Sequence, residues 1–437
     1  MKLTHYPFYI GTNSLLVILS CIILCSSCTE DDPPCSEVTW YEDNDSDGLG
    51  NPNVSQDSCE QPEGYVANDD DPDDSNGDKN GGNLFINLGG HPGAYRGEPT
   101  SVSIEIRATH GFKSLQMNGE EIEEVNEGDT SQNLSIMLNT EIDYGRAEFI
   151  FTLEDQLGRE TSSTWLLQII KDFPTNSPLM VSNYEVMLED IGQPNHLLLV
   201  DTDLYISETY YTPSFSLSSR ILRTDINTFG SVETLIAGLD WPDFIPLGMV
   251  IHNDHFYYAD QASLEVRKVP RDNFSMAPEV VLNGQNYDHL LLAGDLLYYS
   301  TFDAIGTIDL ANNTNTDNIF SNNEYSQNAM ILVGTTMYVT NSWNGYLYSF
   351  DVSNPDNKTV LVEGFYQPLG MVLYGDYLLI SDDVGNRIIA VEIGSGSYEA
   401  TVLTDQVDGP MGMVIHDGYL YVAERFPNIV SRFYLEP

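Results

Sequence analysis

The chain has few basic residues and few cysteines. Its 437 residues carry 17 Lys and Arg against 66 Asp and Glu, which gives a formal net charge of −49. This charge repels nucleic acid and anionic membrane surfaces, so we expect no nucleic-acid partner and expect cations as counterparts. Five cysteines are present, and no serine or cysteine has a base partner that would make it a nucleophile. Thiol and serine-hydrolase chemistry are therefore not expected.

Long apolar runs are also lacking, except near the N-terminus. The run from Leu15 to Leu24 is too short to span a bilayer and is typical of a signal peptide. Small residues follow it and lead to Cys28, which resembles a bacterial lipoprotein signal. The resemblance implies a signal peptide over residues 1–27, a lipid on Cys28 and a lipid-anchored tether over residues 28–34. The alternative is an ordinary secretory signal. We expect a surface-exposed position on the bacterial outer membrane, reached only through the lipid anchor.

Residues 29–82 are strongly acidic, and part of this stretch has the pattern of a calcium site. Carboxylates alternate before Gly48, as in the first half of a calcium loop, because Ca²⁺ prefers oxygen ligands. Cys35 and Cys59 are a lone cysteine pair in an exported chain, and we expect them to form a disulfide.

The segment over residues 35–74 resembles the thrombospondin type 3-like metal-binding motif of bacterial surface proteins. The resemblance implies a calcium-stiffened stalk, followed by a linker over residues 75–82. The alternative is a solvated acidic tether. The implied calcium ligands are Asp43, Asp45, Asp47, Asn51, Asp69, Asp71 and Asp73.

Residues 83–172 have a strand-like pattern with turn residues between short runs. Apolar residues alternate at Val102, Ile104 and Ile106, which indicates a sheet with one buried face. The strand number predicts an immunoglobulin-like β-sandwich, and the segment resembles the spacer sandwiches of surface lipoproteins.

A unit of about forty residues recurs six times after Pro194, and its period near forty is typical of a β-propeller. In each copy an anchor residue precedes an apolar run, a two-residue turn and a second apolar run, the pattern of a β-hairpin. The anchors are His196, Gly248, His289, Ala329, Gly370 and Gly412. The sequence therefore predicts an all-β chain with a six-bladed β-propeller over residues 176–437. A strand before the first copy should complete the last blade.

The Pro-x-Gly and Leu-Tyr-x-x-Asp elements of these copies resemble NHL and SMP-30/gluconolactonase-like propellers of the TolB-like type. The resemblance implies a divalent cation in the propeller channel, held by Asn195, Asp288 and Asn328. It also implies an enzymatic alternative, a metal-dependent lactonase or esterase in which Asp288 or Glu208 is the catalytic carboxylate.

One face of the propeller should collect polar residues twelve positions after each anchor, together with aromatic residues from the connecting loops. Such a surface suits a glycan or a protein ligand, which makes a binding protein the leading hypothesis. A structural adhesion scaffold is a further alternative, since the polar residues could simply bond backbone groups. The candidate ligand-binding residues are Tyr210, Tyr211, Trp241, Phe244, Trp343, Tyr366, Asp260, Asp382 and Glu424.

Overall fold

The structure is a computed structural model. It describes residues 38–44, 48, 50–69, 84–89, 93–211, 217–237, 246–321 and 327–436. Within these residues the secondary structure consists of strands and turns, with no helix. In the part of the chain that is described, no helix has the length and apolar character needed to cross a membrane. The chain divides into two compact units, Met1–Gly82 and Asn83–Pro437.

The first unit contains one small antiparallel sheet. Its strands are β1 Val38–Glu42, β2 Ser55–Ser58 and β3 Tyr65–Val66. β1 is central and pairs with both others. Cys59, which follows β2, is disulfide-bonded. Its predicted partner Cys35 lies outside the described residues.

The second unit begins with two sheets that share one core. The strands are β4 Leu84–Leu88, β5 Gly93–Tyr95, β6 Thr100–Ala108, β7 Phe112–Met117, β8 Glu120–Glu121, β9 Ser131–Leu138, β10 Gly145–Asp155 and β11 Glu160–Ile170. One sheet has the order β4-β6-β9 and the other β5-β11-β10-β7-β8. Val102, Ile104 and Ile106 of β6 are buried, and the residues between them are more exposed. The alternation predicted for this strand is confirmed. We call residues 84–170 the two-sheet part.

Residues 180–436, here called the ring, form six four-stranded antiparallel sheets. The strands of the first three sheets, with the strand that precedes them, are β12 Met180–Leu188, β13 Gln193–Val200, β14 Asp203–Tyr211, β15 Leu217–Asp225, β16 Glu233–Ala237, β17 Pro246–His252, β18 His255–Asp260, β19 Glu265–Pro270, β20 Glu279–Asn283, β21 Tyr287–Ala293, β22 Leu296–Thr301, β23 Ala304–Asp309 and β24 Thr314–Ser321. Those of the last three sheets are β25 Gln327–Val333, β26 Thr336–Asn341, β27 Tyr346–Asp351, β28 Asn354–Glu363, β29 Pro368–Tyr374, β30 Tyr377–Asp382, β31 Arg387–Glu392, β32 Ala400–Thr404, β33 Pro410–His416, β34 Tyr419–Glu424 and β35 Ile429–Glu436.

The predicted hairpins form the first two strands of each sheet. Their turns need left-handed backbone, which Asn, Asp and Gly adopt most easily. Asn253 and Asp254 join β17 to β18 with φ of 44° and 61°, and Asp417 and Gly418 join β33 to β34 with φ of 47° and 77°. The turn residues recur in the sequence because the hairpin turns require a left-handed backbone conformation.

The ring closes between distant parts of the chain. β12 pairs antiparallel with β35, so that Val181 lies opposite Leu435. The predicted completion of the last sheet by an upstream strand is confirmed. The first strands β13, β17, β21, β25, β29 and β33 contact one another in this order, and β33 contacts β13. These six strands surround the axis of the ring.

The two-sheet part continues into the ring through residues 171–174. Lys171 N donates to Gly364 O at 2.8 Å, and Val402 N donates to Pro174 O at 2.7 Å. The ring of Phe173 is buried 5.2 Å from that of Phe365. Hydrogen bonds and apolar packing thus attach residues 171–174 to the loop before β29 and to β32.

Candidate functional site

The first strand of each sheet is irregular at the same place. Its pairing register shifts beside the anchor, for example between Pro194 and His196 in β13 and between Pro246 and Met249 in β17. The other four first strands shift correspondingly. A β-bulge bends a strand and redirects its side chains. All six residues that precede an anchor consequently lie in the wall of one central cavity.

Glycine anchors allow the first strands to approach closely. A Cβ on Gly248 would lie 2.5 Å from Leu290 N, and one on Gly412 would lie 2.7 Å from Leu197 N. Because both neighbouring atoms belong to backbone, they cannot move aside as the end of a side chain could. Glycine is therefore required by packing at these anchors.

The central cavity has a volume of about 110 Å³. Its wall combines polar residues from the first, third and fourth sheets with apolar residues from the second, fifth and sixth. The polar residues are Asn195, His196, Asp288, His289 and Asn328. The apolar residues are Leu247, Leu369, Met371, Met411 and Met413, with backbone exposed at Gly248, Gly370 and Gly412.

Two histidines meet inside this cavity. The rings of His196 and His289 lie 5.4 Å apart in an edge-to-face arrangement. They belong to the first and third sheets, and Gly248 of the sheet between them contributes no side chain. Burial lowers the pKa of His196 to about 4 and that of His289 to about 3, where His196 adds to the effect. Both imidazoles are therefore neutral at neutral pH, and each has a buried Nδ1 without a hydrogen-bond partner among the described residues.

Asp288 is the acidic residue of the cavity wall. Its Oδ1 accepts a hydrogen bond from Gln261 Nε2 at 3.0 Å. Burial raises the pKa of Asp288 to about 7, and the Gln261 hydrogen bond opposes this only in part. Desolvation disfavours a charge that has no counter-ion, so at neutral pH this carboxyl lies near its titration midpoint. Nearby, Asn195 Nδ2 donates to Thr209 Oγ1 at 3.0 Å, and Asn328 Oδ1 accepts from Ser342 N at 3.2 Å.

The carboxylates twelve positions after the anchors do not line this cavity. Glu208 is buried, pairs with Arg220 and accepts from Gly192 N at 2.8 Å. It is therefore not placed to act with Asp288 as a catalytic carboxylate. Asp260 is also fully buried, and its Oδ2 accepts from Ser263 Oγ at 2.7 Å and lies 3.4 Å from Arg267 Nη1.

Asp382 and Glu424 also bond groups of the protein itself, and their ligand-binding role stays a prediction. Asp382 Oδ1 accepts from Gln367 N at 2.7 Å, and its Oδ2 accepts from Arg387 Nε at 2.9 Å. Glu424 accepts from Asp408 N at 2.8 Å. Both carboxylates are buried, so they stabilise the loop that leads into the first strand of their own sheet.

The predicted aromatic residues that are described are also engaged within the protein. Arg146 of the two-sheet part stacks on Trp343 with its guanidinium carbon 3.8 Å from the ring centre. A Cβ on Gly93 would lie 2.6 Å from the ring of Tyr366, so glycine is needed for this contact. The Tyr210 ring lies 4.5 Å from the guanidinium carbon of Arg220. Trp343 and Tyr366 therefore contact the two-sheet part, and their role as ligand contacts stays a prediction.

Several other predicted site residues cannot be placed. The following lie outside the described residues, as does the side chain of Tyr211: Trp241, Phe244, Asp45, Asp47, Asp71, Asp73, Cys28 and Cys35.

In the first unit, Asp43 Oδ2 accepts from Gly48 N at 3.2 Å, and Asn51 Oδ1 accepts from Asn53 N at 2.9 Å. Asp69 follows β3. Among the described residues, no group of three or more His, Cys, Asp or Glu side chains is arranged to hold a metal ion.

A second repeat feature was missed in the sequence. Four copies have Ser or Thr eleven positions after the anchor. The bulge leaves the backbone N–H of the anchor without a partner in the strand pairing, and the Ser or Thr hydroxyl accepts a hydrogen bond from it. The distance is 2.7 Å from Gly370 N to Ser381 Oγ and 3.0 Å from His289 N to Ser300 Oγ. Ser381 Oγ also donates to Met411 O of the next sheet at 2.7 Å. The regular spacing of these hydroxyls was the available signal.

Comparison with known proteins adds only fold-level similarity. No protein-family model matches the chain, and no curated protein matches it. A solved nidogen/laminin complex is 13% identical with a TM-score of 0.40, covering 60% of this chain and 97% of that one. Virginiamycin B lyase from Staphylococcus aureus is 12% identical with a TM-score of 0.43, covering 59% of this chain and 99% of that one. A catalytically inactive variant of that lyase, solved with quinupristin, is 11% identical with a TM-score of 0.42, covering 78% of this chain and 100% of that one. The all-β ring is consistent with a β-propeller, and these similarities carry no conclusion about function.

Proposed function

We propose that residues 176–437 are a six-bladed β-propeller whose central cavity binds a small ligand. The observation that carries this proposal is the cavity itself, whose wall combines five polar side chains with leucine and methionine side chains. Cavities that combine a few convergent polar groups with apolar wall are typical ligand sites. Two unpartnered imidazole nitrogens and a desolvated carboxyl add interaction capacity that the protein itself does not use.

The cavity volume limits what can enter. Sites for drug-sized ligands measure roughly 300–1,000 Å³. A cavity of about 110 Å³ therefore takes a small molecule or the end group of a larger one. The surface glycan or protein ligand expected from the sequence would have to present such a group, because the rim residues Trp343, Tyr366, Asp382 and Glu424 are already engaged.

The enzymatic alternative, a metal-dependent lactonase or esterase, is less well supported. Asn195, Asp288 and Asn328 do lie in one cavity wall, but only one of them is a carboxylate. The Oδ1 of Asn328 already accepts from Ser342 N. Hard divalent cations prefer several oxygen ligands, commonly including more than one carboxylate, so these residues fit such an ion poorly.

We further propose that the cavity is presented at a bacterial surface. In this proposal, residues 1–27 are a signal peptide, Cys28 carries the lipid, and residues 35–74 are a stalk stiffened by Ca²⁺. Residues 83–172 would be an immunoglobulin-like spacer. The acidic composition and the disulfide at Cys59 support an exported protein.

The ligand proposal can be tested by filling the cavity. We expect small polar solutes to bind the purified full-length protein in ligand-observed NMR, and Met411→Phe to abolish binding because the larger ring occupies the space. Met137→Phe is the matched control, since Met137 is 62% exposed in the two-sheet part. Equal binding to both variants, or no binding to the unmodified protein by any solute in the set, would contradict the proposal.

A further inference from the structure

Asp288 is half-buried, and it differs from the buried aspartates of the ring in having no cationic partner among the described residues. Glu208 pairs with Arg220, Asp382 with Arg387 and Asp383 with Arg425. Asp260 lies 3.4 Å from Arg267 Nη1. For Asp288 the only described side-chain partner is the neutral amide of Gln261.

This difference matters because a buried charge is costly unless it is paired and hydrogen-bonded. The ring sequence supplies an arginine for its other buried aspartates, and the cavity wall at Asp288 contains no Lys or Arg. No described residue of the cavity wall supplies a cation for Asp288, so a cationic occupant of the cavity would be its counter-ion.

The surroundings of Asp288 favour a ligand that donates hydrogen bonds. His196 and His289 both line the cavity, and each has a buried Nδ1 with no hydrogen-bond partner among the described residues. A neutral imidazole nitrogen without its proton is an acceptor. Asn195 donates through Nδ2 to Thr209, which leaves its Oδ1 as its acceptor.

We propose that the ligand of the central cavity is a small primary amine, bound as its ammonium ion with Asp288 as the counter-ion. This inference rests on the proposed function, which holds that the cavity binds a small ligand at all. An ammonium group has three N–H donors for the carboxylate and the imidazoles, and a short alkyl chain matches the wall formed by Leu369, Met411 and Met413.

Other ligand classes match this wall less well. An anion would be repelled by Asp288, and among the described residues no Lys or Arg lines the cavity to attract it. A bare metal ion would gain nothing from the leucine and methionine side of the wall. An alcohol could bond the imidazoles, but it would leave the charge of Asp288 uncompensated.

The test compares three probes of similar size at pH 8, where Asp288 is ionised and an alkylamine is protonated. An apolar cavity of about 150 Å³ holds benzene, so the volume here suits roughly five non-hydrogen atoms. The probes are n-butylamine, n-butanol and butyrate, measured by ligand-observed NMR on the full-length protein. We expect n-butylamine to bind about tenfold or more tightly than n-butanol, since hydrogen bonds between charged partners are the stronger ones.

Asp288→Asn should remove this preference, so that n-butylamine binds no more tightly than n-butanol. Asp417→Asn is the matched control, because the Asp417 side chain is 79% exposed at a turn of the last sheet. If Asp288→Asn does not fold, as judged by its melting transition, Met411→Phe serves as second variant and should weaken n-butylamine and n-butanol alike.

Each other outcome has a distinct meaning. Binding of n-butanol or butyrate as tight as that of n-butylamine would overturn the amine inference and leave the proposed function standing. Displacement of n-butylamine by equimolar Ca²⁺ or Na⁺ would also overturn it, in favour of an inorganic cation site. If none of the three probes binds, the inference and the proposed function both fall.

Discussion

Replacing Asp288 with asparagine should stabilise the protein above neutral pH and should have little effect in acid. Burial raises the pKa of Asp288 from 3.8 to about 7. Between these values the folded protein keeps a proton that the unfolded chain releases, so rising pH favours unfolding across this window. The shift of about three units at roughly 1.4 kcal/mol each amounts to about 4 kcal/mol, reached above pH 7. Because Asp288 is only half-buried, this value is an upper limit.

The measurement is the free energy of unfolding of the unmodified protein and of Asp288→Asn, by chemical denaturation between pH 4 and pH 8. Other carboxylates titrate equally in both proteins, so the difference isolates Asp288. We expect the variant to gain up to about 4 kcal/mol at pH 8 and almost nothing at pH 4. Asp417→Asn should show no such trend, because this side chain is exposed. A difference that is independent of pH, or that favours the unmodified protein at pH 8, would refute the reasoning.

Two further predictions concern the ring and the stalk. Gly412→Ala should lower the free energy of unfolding by about 1–3 kcal/mol, because its Cβ would lie 2.7 Å from Leu197 N. Gly230→Ala, whose Cβ would have no neighbour closer than 3.7 Å, should change it by less than about 0.5 kcal/mol, and equal losses would contradict the packing argument. Chelation of Ca²⁺ should increase proteolysis within residues 35–74, because unpaired carboxylates repel one another. Unchanged cleavage by limited proteolysis and mass spectrometry would contradict a calcium-stiffened stalk.

Much of the ring could be predicted because the residues that specify each hairpin are close to one another in the sequence. Each hairpin has apolar runs and turn residues within about fifteen positions, as at Asn253 and Asp254. The closing strand β12 was predictable because the last copy ends without its outer strand. The resemblance implied that Asn195, Asp288 and Asn328 lie together, and these three residues line one cavity.

The predicted ligand residues on the rim have partners within the protein that the sequence did not indicate, because burial is not local. Asp382 and Glu424 occur where exposed oxygen ligands were expected, yet each is buried under the loop before its own sheet. Trp343 and Tyr366 contact Arg146 and Gly93, which are more than 190 residues earlier in the chain. Sequence spacing within one copy contains no information about such a partner.

The sequence by itself determined the repeat, its hairpins and the strand that closes the ring, because turn geometry and apolar periodicity act between near neighbours. Only the tertiary structure decided which polar residues face a cavity and which are enclosed. The bulges beside the anchors bring Asp288, His196 and His289 together from separate sheets. Asp382 has an arginine partner, whereas Asp288 has none among the described residues. This difference depends on three-dimensional packing.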